Sequence, residues 1–372
     1  MRVLELLSSP AWTGPAEPMT SVARALVRRG HEVQVAVDTL RPGDLRERLA
    51  AEGFPPRADL ALSTRGGPGS FLSDLRRLRK LGRAFDVLHA NFSHDHALAV
   101  LALWGRGSSR VVRTVHSARS LEARGLQGWL HRHTDGLVAV CEGHARVLGE
   151  RFRVPAERIL AVRGAVDAAA FSPHGPDLRA ELGIPAGAPV AGIVSRVKPD
   201  RRHAELLEAF RAVAAGLPQA RLVVVGRGEG LEDLRQRASG LGIGGSVVFA
   251  GYRRGAELAA AYRTLDAKVL LAEGNDGTCR ALLEAMASGR PGVAYRFGAP
   301  AEAIVEGRTG LLVPEGDVPA LAEAIRALLS DGARARAMGA AARERMCSLY
   351  TEEARGAAVE GFLRRVLAMP PA

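Results

Sequence analysis

The amino-acid sequence predicts an α/β protein built from two doubly wound units of similar size. The first observation is that short β-rich runs alternate with longer stretches whose apolar residues recur at helical spacing. Such alternation is typical of a parallel sheet covered by helices on both faces. The second observation is that the alternation stops in a proline- and glycine-containing stretch and then begins again. A chain of 372 residues is also long enough for two separate cores.

The first unit is predicted to span residues 1–165. The β-rich runs that we interpret as its strands are RVLELL, HEVQVAV, FDVLHAN, RVVRTVH and GLVAVC. The helical patterns between them are MTSVARALVRRG, HALAVLALWG and EGHARVLGERF.

Residues 166–188 are predicted to be a linker, because they contain prolines and glycines without clear periodicity. The second unit is predicted to span residues 189–349. Its strands and helices alternate as VAGIVS, HAELLEAFRAVAAG, ARLVVVG, GLEDLRQRASG, SVVFAG, AELAAAYRTL and AKVLLA. The pattern is helical from about Val318 onward, and residues 350–372 form the last predicted helix. Since ligands of open α/β sheets bind at the carboxyl ends of the strands, the expected site is a cleft between the two units.

The composition indicates a basic globular protein. The net charge is +11, and nearly all of the basic residues are arginines, because the chain has three lysines. Such a surface attracts phosphates or anionic lipid, so an anionic membrane surface is a candidate partner. Nucleic acid is not expected, because aromatic residues make up only 5% of the chain and no basic run is interleaved with stacking rings. The basic segment 73–85 has an apolar stripe; we interpret it as a solvated helix face, with lipid contact as the alternative.

The sequence favours a cytoplasmic location. No apolar run approaches the ~20 residues of a membrane span, and the amino terminus lacks the long apolar stretch and cleavage site of a signal peptide. Cys141, Cys279 and Cys347 are odd in number and far apart, which fits neither a disulfide framework nor a zinc site. Cys279 is interpreted as a small buried thiol, and a reactive thiol is the alternative.

Four loops that follow strands of the second unit contain residues suited to an anionic ligand. In chain order these residues are Arg196, Lys198, Arg201 and Arg202, then Gly226, Gly228 and Gly230, then Gly251 and Tyr252, and finally Gly274 and Gly277. The glycines allow close backbone approach, and the helix start after the last loop offers free N–H groups to an anion. One such loop is weak support, because glycine is a common turn residue. Since all four loops converge on one sheet edge, the sequence predicts a phosphate-binding site there.

Asp276 and Glu284 stand eight positions apart around that helix start. Eight helical residues rise ~12 Å, whereas the carboxylates of glycoside hydrolases are separated by ~5–9.5 Å. The spacing therefore favours contact with two ends of an extended ligand, with sugar hydroxyls at one acid and a ribose at the other. The backbone N–H groups of Gly277, Thr278 and Cys279 would then face a diphosphate between them. The alternative is a helix-capping Asp276 with Glu284 on a solvated face.

Arg280 supports the same interpretation. A cation in the first helical turn opposes the helix dipole, so it requires an acidic partner or a bound anion. A dinucleotide-binding dehydrogenase is not supported, because GRGEG is not G-x-G-x-x-G and the acidic residue expected after the following strand is missing. The sequence contains no G-x-x-x-x-G-K-[ST] either.

These residues resemble the retaining glycosyltransferases of family 4, which have the GT-B fold of two Rossmann-like domains facing a cleft. The resemblance covers almost the whole chain. In the second unit it rests on GIVSRVKPDRRHAELLEAF, LVVVGRGEG, DGTCRALLEAMASGRPGVA and GRTGLLVPEGDVPALAEAI. In the first unit it rests on WTGPAEPMTSVARALVRRGHEV and RTVHSARS, and between the units on RILAVRGAVDAAAFSP. It implies that the C-terminal helix packs back on the first unit.

The resemblance also implies roles for individual residues. Arg196 and Arg201 would grip the donor diphosphate, with Arg201 in place of the family's usual lysine. Glu284 would hold the ribose. Asp276 stands where the family has the first glutamate of its E-x7-E motif, so its carboxylate is one methylene further from the sugar. His116 would line the reaction centre next to the acceptor.

The acceptor side is expected to include Gly14, which lies in the segment resembling the family's glycine-rich loop. His94 belongs to the cluster HANFSHDHA (89–97), which we interpret as a loop contacting acceptor hydroxyls. Plain loop polarity is the alternative, and a metal site would need a third ligand of suitable geometry. The segment 65–77 is interpreted as a further acceptor loop.

The implied reaction is front-side transfer of a sugar with retention at the anomeric carbon. The donor would be UDP- or GDP-linked, and the acceptor lipid-linked or a polysaccharide of the cell envelope. No cofactor is expected, and no metal, because no D-x-D occurs. His116 would position groups, while a β-phosphate oxygen accepts the proton. Two other classes remain: a nucleotide-sugar epimerase of similar architecture, and a non-catalytic nucleotide-sugar binding protein.

Overall fold

The computed structural model describes residues 1–105, 109–122, 126–272 and 279–372. These residues form two compact units. The first contains residues 1–163 and 352–372, and the second contains residues 164–272 and 279–351. Each unit has one parallel sheet of six strands with helices packed against it.

The first unit begins with a buried strand and alternates strands with helices, as its hydrophobic pattern predicts. Its strands are β1 (Arg2–Leu7), β2 (Glu32–Val37), β3 (Val87–Ala90), β4 (Arg110–Val115), β5 (Gly136–Ala139) and β6 (Ile159–Ala161). Its helices are α1 (Ala16–Arg28), α2 (Leu45–Ala51), α3 (Gly67–Leu81), α4 (Ser93–Leu103), α5 (Gln127–Arg132) and α6 (Glu142–Phe152). The strand order is β2-β1-β3-β4-β5-β6, and all pairs are parallel.

The second unit repeats this architecture with its own core. Its strands are β7 (Val190–Val194), β8 (Arg221–Val225), β9 (Val247–Gly251), β10 (Ala267–Leu270), β11 (Gly292–Tyr295) and β12 (Gly310–Val313). Its helices are α7 (His203–Gly216), α8 (Leu231–Gly240), α9 (Gly255–Thr264), α10 (Arg280–Ala287), α11 (Gly298–Ala303), α12 (Val318–Ser330) and α13 (Gly332–Leu349). The strand order is β12-β11-β10-β7-β8-β9.

The last helix, α14 (Glu352–Ala368), belongs to the first unit and packs along α1. Gly356 permits this close contact, because a Cβ at that position would lie 2.2 Å from the Cβ of Ala25. Ion pairs join the C-terminal end of α1 to the first half of α14. The pairs are Arg24 and Arg28 with Glu352, Arg29 with Glu353 and Arg29 with Glu360.

The structure adds elements that the sequence pattern did not reveal. The three-residue strand β6 completes the first sheet, and its residues are too few to show a period of two. The interpretation of 65–77 as a loop is wrong, because α3 begins at Gly67, with Pro68 in its first turn. Residues 162–189 contain turns but neither helix nor strand. Within the described residues, no helix is long and apolar enough to span a bilayer.

Candidate active site

The order of strands in the second unit defines where a ligand is expected. The chain forms β7, β8 and β9 on one side and then crosses to β10, which pairs with β7 on its other side. The carboxyl ends of β7 and β10 therefore border the point where the strand order reverses. In open α/β sheets this topological switch point is where ligands bind.

The loops after β7 and β8 pack directly against each other. A Cβ on Gly226 would lie 1.9 Å from the carbonyl oxygen of Ser195, and one on Gly228 would lie 2.1 Å from that of Val197. Backbone hydrogen bonds join the same loops, from Val197 N–H to the carbonyl of Arg227 at 3.1 Å and from Ser195 N–H to that of Val225 at 3.0 Å. These glycines thus hold the segment that contains the predicted phosphate-binding cations.

The predicted cations follow β7 at the switch point. Arg196 is exposed, and Arg201 is half-buried with its Nε 3.8 Å from Oδ1 of Asp200. Lys198 lies 3.6 Å from a carboxylate oxygen of Glu229. The exposed Arg196 side chain at the carboxyl edge of the sheet is suited to an anion from solvent.

Both helices that start at the switch point are preceded by a residue with left-handed backbone. Arg202 has φ 58° before α7, and Cys279 has φ 46° before α10. They are two of only four non-glycine residues with positive φ in the described part of the chain. Such conformations cost about 1–3 kcal/mol each and cluster at functional sites. The two strained positions therefore support the switch point as the site.

Tyr252 follows β9 and is exposed, with the Arg227 guanidinium 4.4 Å from the centre of its ring. Cys279 is buried at the start of α10, and Arg280 is the first residue of that helix. The predicted roles of Asp276, Gly277 and Thr278 lie outside the described residues.

Glu284 is part of a buried polar cluster and does not lie on a solvated helix face. Its side chain on α10 is 8% exposed, and its Oε2 accepts a 2.7 Å hydrogen bond from the hydroxyl of Tyr262 on α9. Burial, followed by the charge of Glu284, raises the pKa of Tyr262, so the phenol stays protonated as the donor. Lys268 on β10 is fully buried beside this carboxylate. Burial lowers the pKa of Lys268 to about 7, and Glu284 acts in the opposite direction.

The start of α7 belongs to the same region. His203 is buried, and its Nε2 lies 3.1 Å from the Ser195 hydroxyl oxygen. Burial lowers the pKa of His203 to about 4, and the charge of Lys268 contributes. A neutral histidine, a strained arginine and a buried carboxylate–phenol–amine cluster thus surround the switch point.

The first unit has its own switch point, between β1 and β3. His116 directly follows the adjacent strand β4 and is 5% exposed. Its Nε2 lies 3.0 Å from Oδ1 of Asn91, which follows β3. Burial lowers the pKa of His116 to about 3, so the imidazole is neutral at physiological pH. Gly14 is exposed in the turn between β1 and α1.

The polar side chains of the segment 89–97 lie in different environments. His94 is half-buried on α4 with its ring 5.9 Å from that of Phe71, and burial lowers its pKa. Asp95 is fully buried and caps α4, accepting from the N–H of Phe92 at 2.8 Å and that of Asn91 at 3.1 Å. No group of three or more His, Cys, Asp or Glu side chains in the described part of the chain could hold a metal ion.

Two six-stranded parallel sheets, each flanked by helices and each with a switch point, define a GT-B fold. The chain belongs to the group 1 glycosyltransferases: residues 176–345 match the family model "Glycosyl transferases group 1", and residues 14–170 match "Glycosyltransferase Family 4". The two matches fall on the second and first units, respectively.

Among the relatives, a GDP-mannose-dependent alpha-(1-6)-phosphatidylinositol monomannoside mannosyltransferase of Mycobacterium tuberculosis is 30% identical over 310 residues, which cover 77% of this chain and 78% of that protein. The protein of the same description from Mycolicibacterium smegmatis is 33% identical over 207 residues, which span 53% of this chain and only 54% of that protein. The crystal structure of Anabaena Alr3699/HepE in complex with UDP has a TM-score of 0.84 and 19% identity, over 98% of this chain and 100% of that chain. At that identity the likeness shows the fold alone.

The sequence did not reveal Lys268 and Tyr262 near Glu284, or Asn91 beside His116. It also did not reveal Glu5, whose Oε2 lies 3.0 Å from the side-chain nitrogen of Asn91. Lys268 had a visible signal, since it is the one charged residue inside the apolar run AKVLLA. Glu5 had the same signal inside RVLELL. Tyr262 and Asn91 had none, because a tyrosine in a helix and an asparagine after a strand are common.

Proposed function

We propose that this chain transfers a sugar from a nucleotide-sugar donor to an acceptor hydroxyl. The observation on which the proposal rests is the buried carboxylate of Glu284 at the switch point, beside a loop with the exposed Arg196 and the half-buried Arg201. A carboxylate suits ribose hydroxyls, and guanidinium groups suit a diphosphate. Membership of the glycosyltransferase family supports the same assignment.

In the proposed reaction the acceptor oxygen bonds to the anomeric carbon on the face from which the diphosphate departs, so configuration is retained. The bond between the anomeric carbon and the β-phosphate oxygen breaks, and that phosphate takes the proton of the acceptor hydroxyl. Arg196 and Arg201 offset the charge that develops on the diphosphate. His116 positions a hydroxyl, because a neutral buried imidazole with a pKa of about 3 is a poor base.

The proposed donor is linked to GDP or UDP. The named activity of the mycobacterial relatives supports GDP-mannose, and UDP is considered because the Anabaena structure of the same fold is a complex with UDP. The proposed acceptor is lipid-linked or a polysaccharide of the cell envelope, since those relatives act on a phosphatidylinositol mannoside. No metal is proposed, because the sequence has no D-x-D.

We also propose contact with an anionic membrane surface from the cytoplasmic side. Helix α3 buries Asp74 and Leu78, whereas Leu72 is 48% exposed. The cations exposed on and just after this helix are Arg76, Arg77, Arg79, Lys80 and Arg83. A basic helix with an exposed apolar residue is suited to the headgroup region of anionic lipid.

The donor site is tested by thermal shift with UDP, GDP, ADP and CDP, each with and without its common sugars. One nucleotide is expected to raise the melting temperature of the wild type in a concentration-dependent manner. Glu284→Gln keeps an acceptor for Tyr262 but loses the charge, so its shift should be much smaller. Glu323→Gln, on the surface of α12, is the matched control and should respond like the wild type. Absence of a shift with every nucleotide would overturn the donor site.

The reaction class is tested with the nucleotide sugar that gives the shift. Release of free nucleotide that increases with added membrane lipid or glycan acceptor supports transfer. An epimerised donor without acceptor would identify an epimerase, and binding without turnover would identify a non-catalytic binding protein.

A further inference from the structure

A chain of buried hydrogen bonds leads from β1 to His116. Glu5 lies in the middle of β1 and is fully buried. The register of the sheet places it beside His89 on β3, whose Nδ1 donates to Oε1 of Glu5 at 2.8 Å. The hydroxyl of Thr114 on β4 lies 2.8 Å from the other nitrogen of His89. A buried carboxylate in a strand core is costly unless its oxygens are hydrogen-bonded, and His89 satisfies one oxygen of Glu5.

The second oxygen of Glu5 determines the orientation of Asn91. The side-chain amide nitrogen of Asn91 lies 3.0 Å from Oε2 of Glu5 and 3.2 Å from the backbone carbonyl of Leu6. Both partners can only accept hydrogen bonds. The amide must therefore present its NH2 group to them, because the reversed amide would place an oxygen against two oxygens. Its Oδ1 then faces His116.

The orientation of Asn91 in turn determines the proton position on His116. Oδ1 of Asn91 can only accept, and it lies 3.0 Å from Nε2 of His116, so Nε2 must hold the proton. In a neutral imidazole the other nitrogen is then an acceptor. Nδ1 of His116 is buried and has no hydrogen-bond partner among the described residues. Nδ1 is therefore an acceptor position that suits a hydrogen bond from a ligand hydroxyl.

We propose that Asn91 and Glu5 are positioning residues that fix His116 as the Nε2–H tautomer, so that Nδ1 accepts a hydrogen bond from a substrate hydroxyl. The tautomer follows from the contacts within the first unit, whereas the identity of the hydroxyl rests on the proposed function. The imidazole is held as a neutral acceptor, since burial and the charges of His89, Arg113 and Arg355 all disfavour a second proton. Arg355 lies on α14, so the C-terminal helix contributes to this environment.

The tautomer is measured directly by long-range ¹H–¹⁵N NMR on protein labelled with ¹⁵N-histidine. The signals of His116 are those missing in His116→Gln. In the wild type at pH 7 we expect a protonated Nε2 and an unprotonated Nδ1. In Asn91→Leu, which removes the acceptor, the two ¹⁵N shifts should move toward each other as the tautomers mix. Glu5→Leu leaves Asn91 one of its two acceptors, so a smaller movement in the same direction is expected.

Conservative and distant variants separate positioning from general damage. Glu5→Gln can still accept from Asn91 through its oxygen and donate to His89 through its nitrogen, so the His116 signals should stay in place. Glu32→Leu, an exposed glutamate on the neighbouring strand β2, should leave them unchanged. A wild-type His116 with the proton on Nδ1 would overturn the proposal even if Asn91→Leu and both Glu5 variants failed to fold. Unchanged His116 shifts in folded Asn91→Leu would overturn it as well.

Activity provides the second measurement. Asn91→Leu should lower kcat/KM by roughly 10- to 100-fold through misplacement of His116, while the nucleotide-induced thermal shift stays at the wild-type value. The NMR result does not depend on activity. If the tautomer is as proposed and no sugar is transferred, the proposed function fails and the positioning role remains.

Discussion

Tyr262 and Glu284 form a 2.7 Å hydrogen bond between two neighbouring helices, and the phenol is fully buried while the carboxylate is 8% exposed. The bond fixes the carboxylate at the carboxyl edge of the sheet before any ligand is present. Lys268 is buried in the same region, and burial lowers its pKa to about 7, so a basic group also lies near this carboxylate. Glu284 is therefore preorganised for the ribose contact proposed above.

This preorganisation is measurable as a coupling between the two side chains. Tyr262→Phe should lower the free energy of unfolding by about 1.5–3 kcal/mol, because it removes a hydrogen bond to a charged acceptor. In a Glu284→Gln background the same change should have a smaller effect, since the acceptor is then neutral. Urea unfolding of the four proteins gives the coupling. If the effects of the two single changes add within ~0.5 kcal/mol, the two side chains are not energetically coupled and the hydrogen bond does not stabilise this arrangement.

Lys268 should make stability increase with pH. Its pKa is about 7 in the folded chain and 10.5 in the unfolded one, so between these values only the unfolded state binds the proton. The free energy of unfolding therefore rises with pH in this window, by on the order of 1.4 kcal/mol per pH unit at most. Lys268→Met removes this dependence. The free energy of unfolding of the variant, minus that of the wild type, should therefore be largest at pH 7 and decrease toward pH 9.

Urea unfolding at pH 7, 8 and 9 tests this expectation. Lys80→Met, at an exposed lysine of α3, is the matched control and should show no such trend. A difference between Lys268→Met and wild type that is equal at pH 7 and pH 9 would contradict a buried lysine with a lowered pKa.

The sequence predicted the fold because alternation of strands and helices is a local property. Helices α6 and α7 match the predicted stretches residue for residue, whereas β6 was too short to be recognised. The family motifs likewise placed Arg196 and Glu284 on the correct loop and helix. The partners of these residues could not be predicted, because they come from other strands and helices. Glu5 meets His89 only through the register of β1 and β3, which are 84 residues apart.

The loop glycines illustrate the same limit. The sequence suggested that Gly226 and Gly228 leave room for a ligand, whereas the structure fills that room with the backbone of Ser195 and Val197. Gly228→Ala should therefore destabilise the second unit by about 1–3 kcal/mol, as overpacking does. Gly245→Ala is the control, because no atom lies within 4 Å of its added Cβ, and its effect should stay within about 0.5 kcal/mol. Chemical denaturation measures the free energy of unfolding of both variants. Equal losses in Gly228→Ala and Gly245→Ala would contradict the packing argument.

Glu360 should make the attachment of α14 to α1 sensitive to acid. Hydrogen bonds from Arg29, His31 and Arg364 lower its pKa from 4.5 to about 2. A lowered carboxylate pKa stabilises the folded state above the unfolded value, and this stabilisation is lost as pH falls from about 4.5 toward 2. Glu360→Gln should therefore be less stable than wild type at pH 6, and the difference should vanish near pH 2. The midpoints of urea unfolding of both proteins across this pH range test this expectation. A difference in stability between Glu360→Gln and wild type that persists at pH 2 would show that the substitution acts through lost packing.

The pH dependence of sugar transfer should show no step from ionisation of His116. Since burial lowers its pKa to about 3, the imidazole stays neutral from pH 5 to pH 8, and kcat/KM should show no step from this residue in that range. His116→Gln retains an acceptor oxygen but not the ring, so it should lower kcat/KM about equally at every pH. His133→Gln, in the same unit, is the control and should change neither rate nor profile. A step near pH 6.5 that disappears only in His116→Gln would show that His116 gains and loses a proton during turnover, and it would replace the positioning role with general-base catalysis.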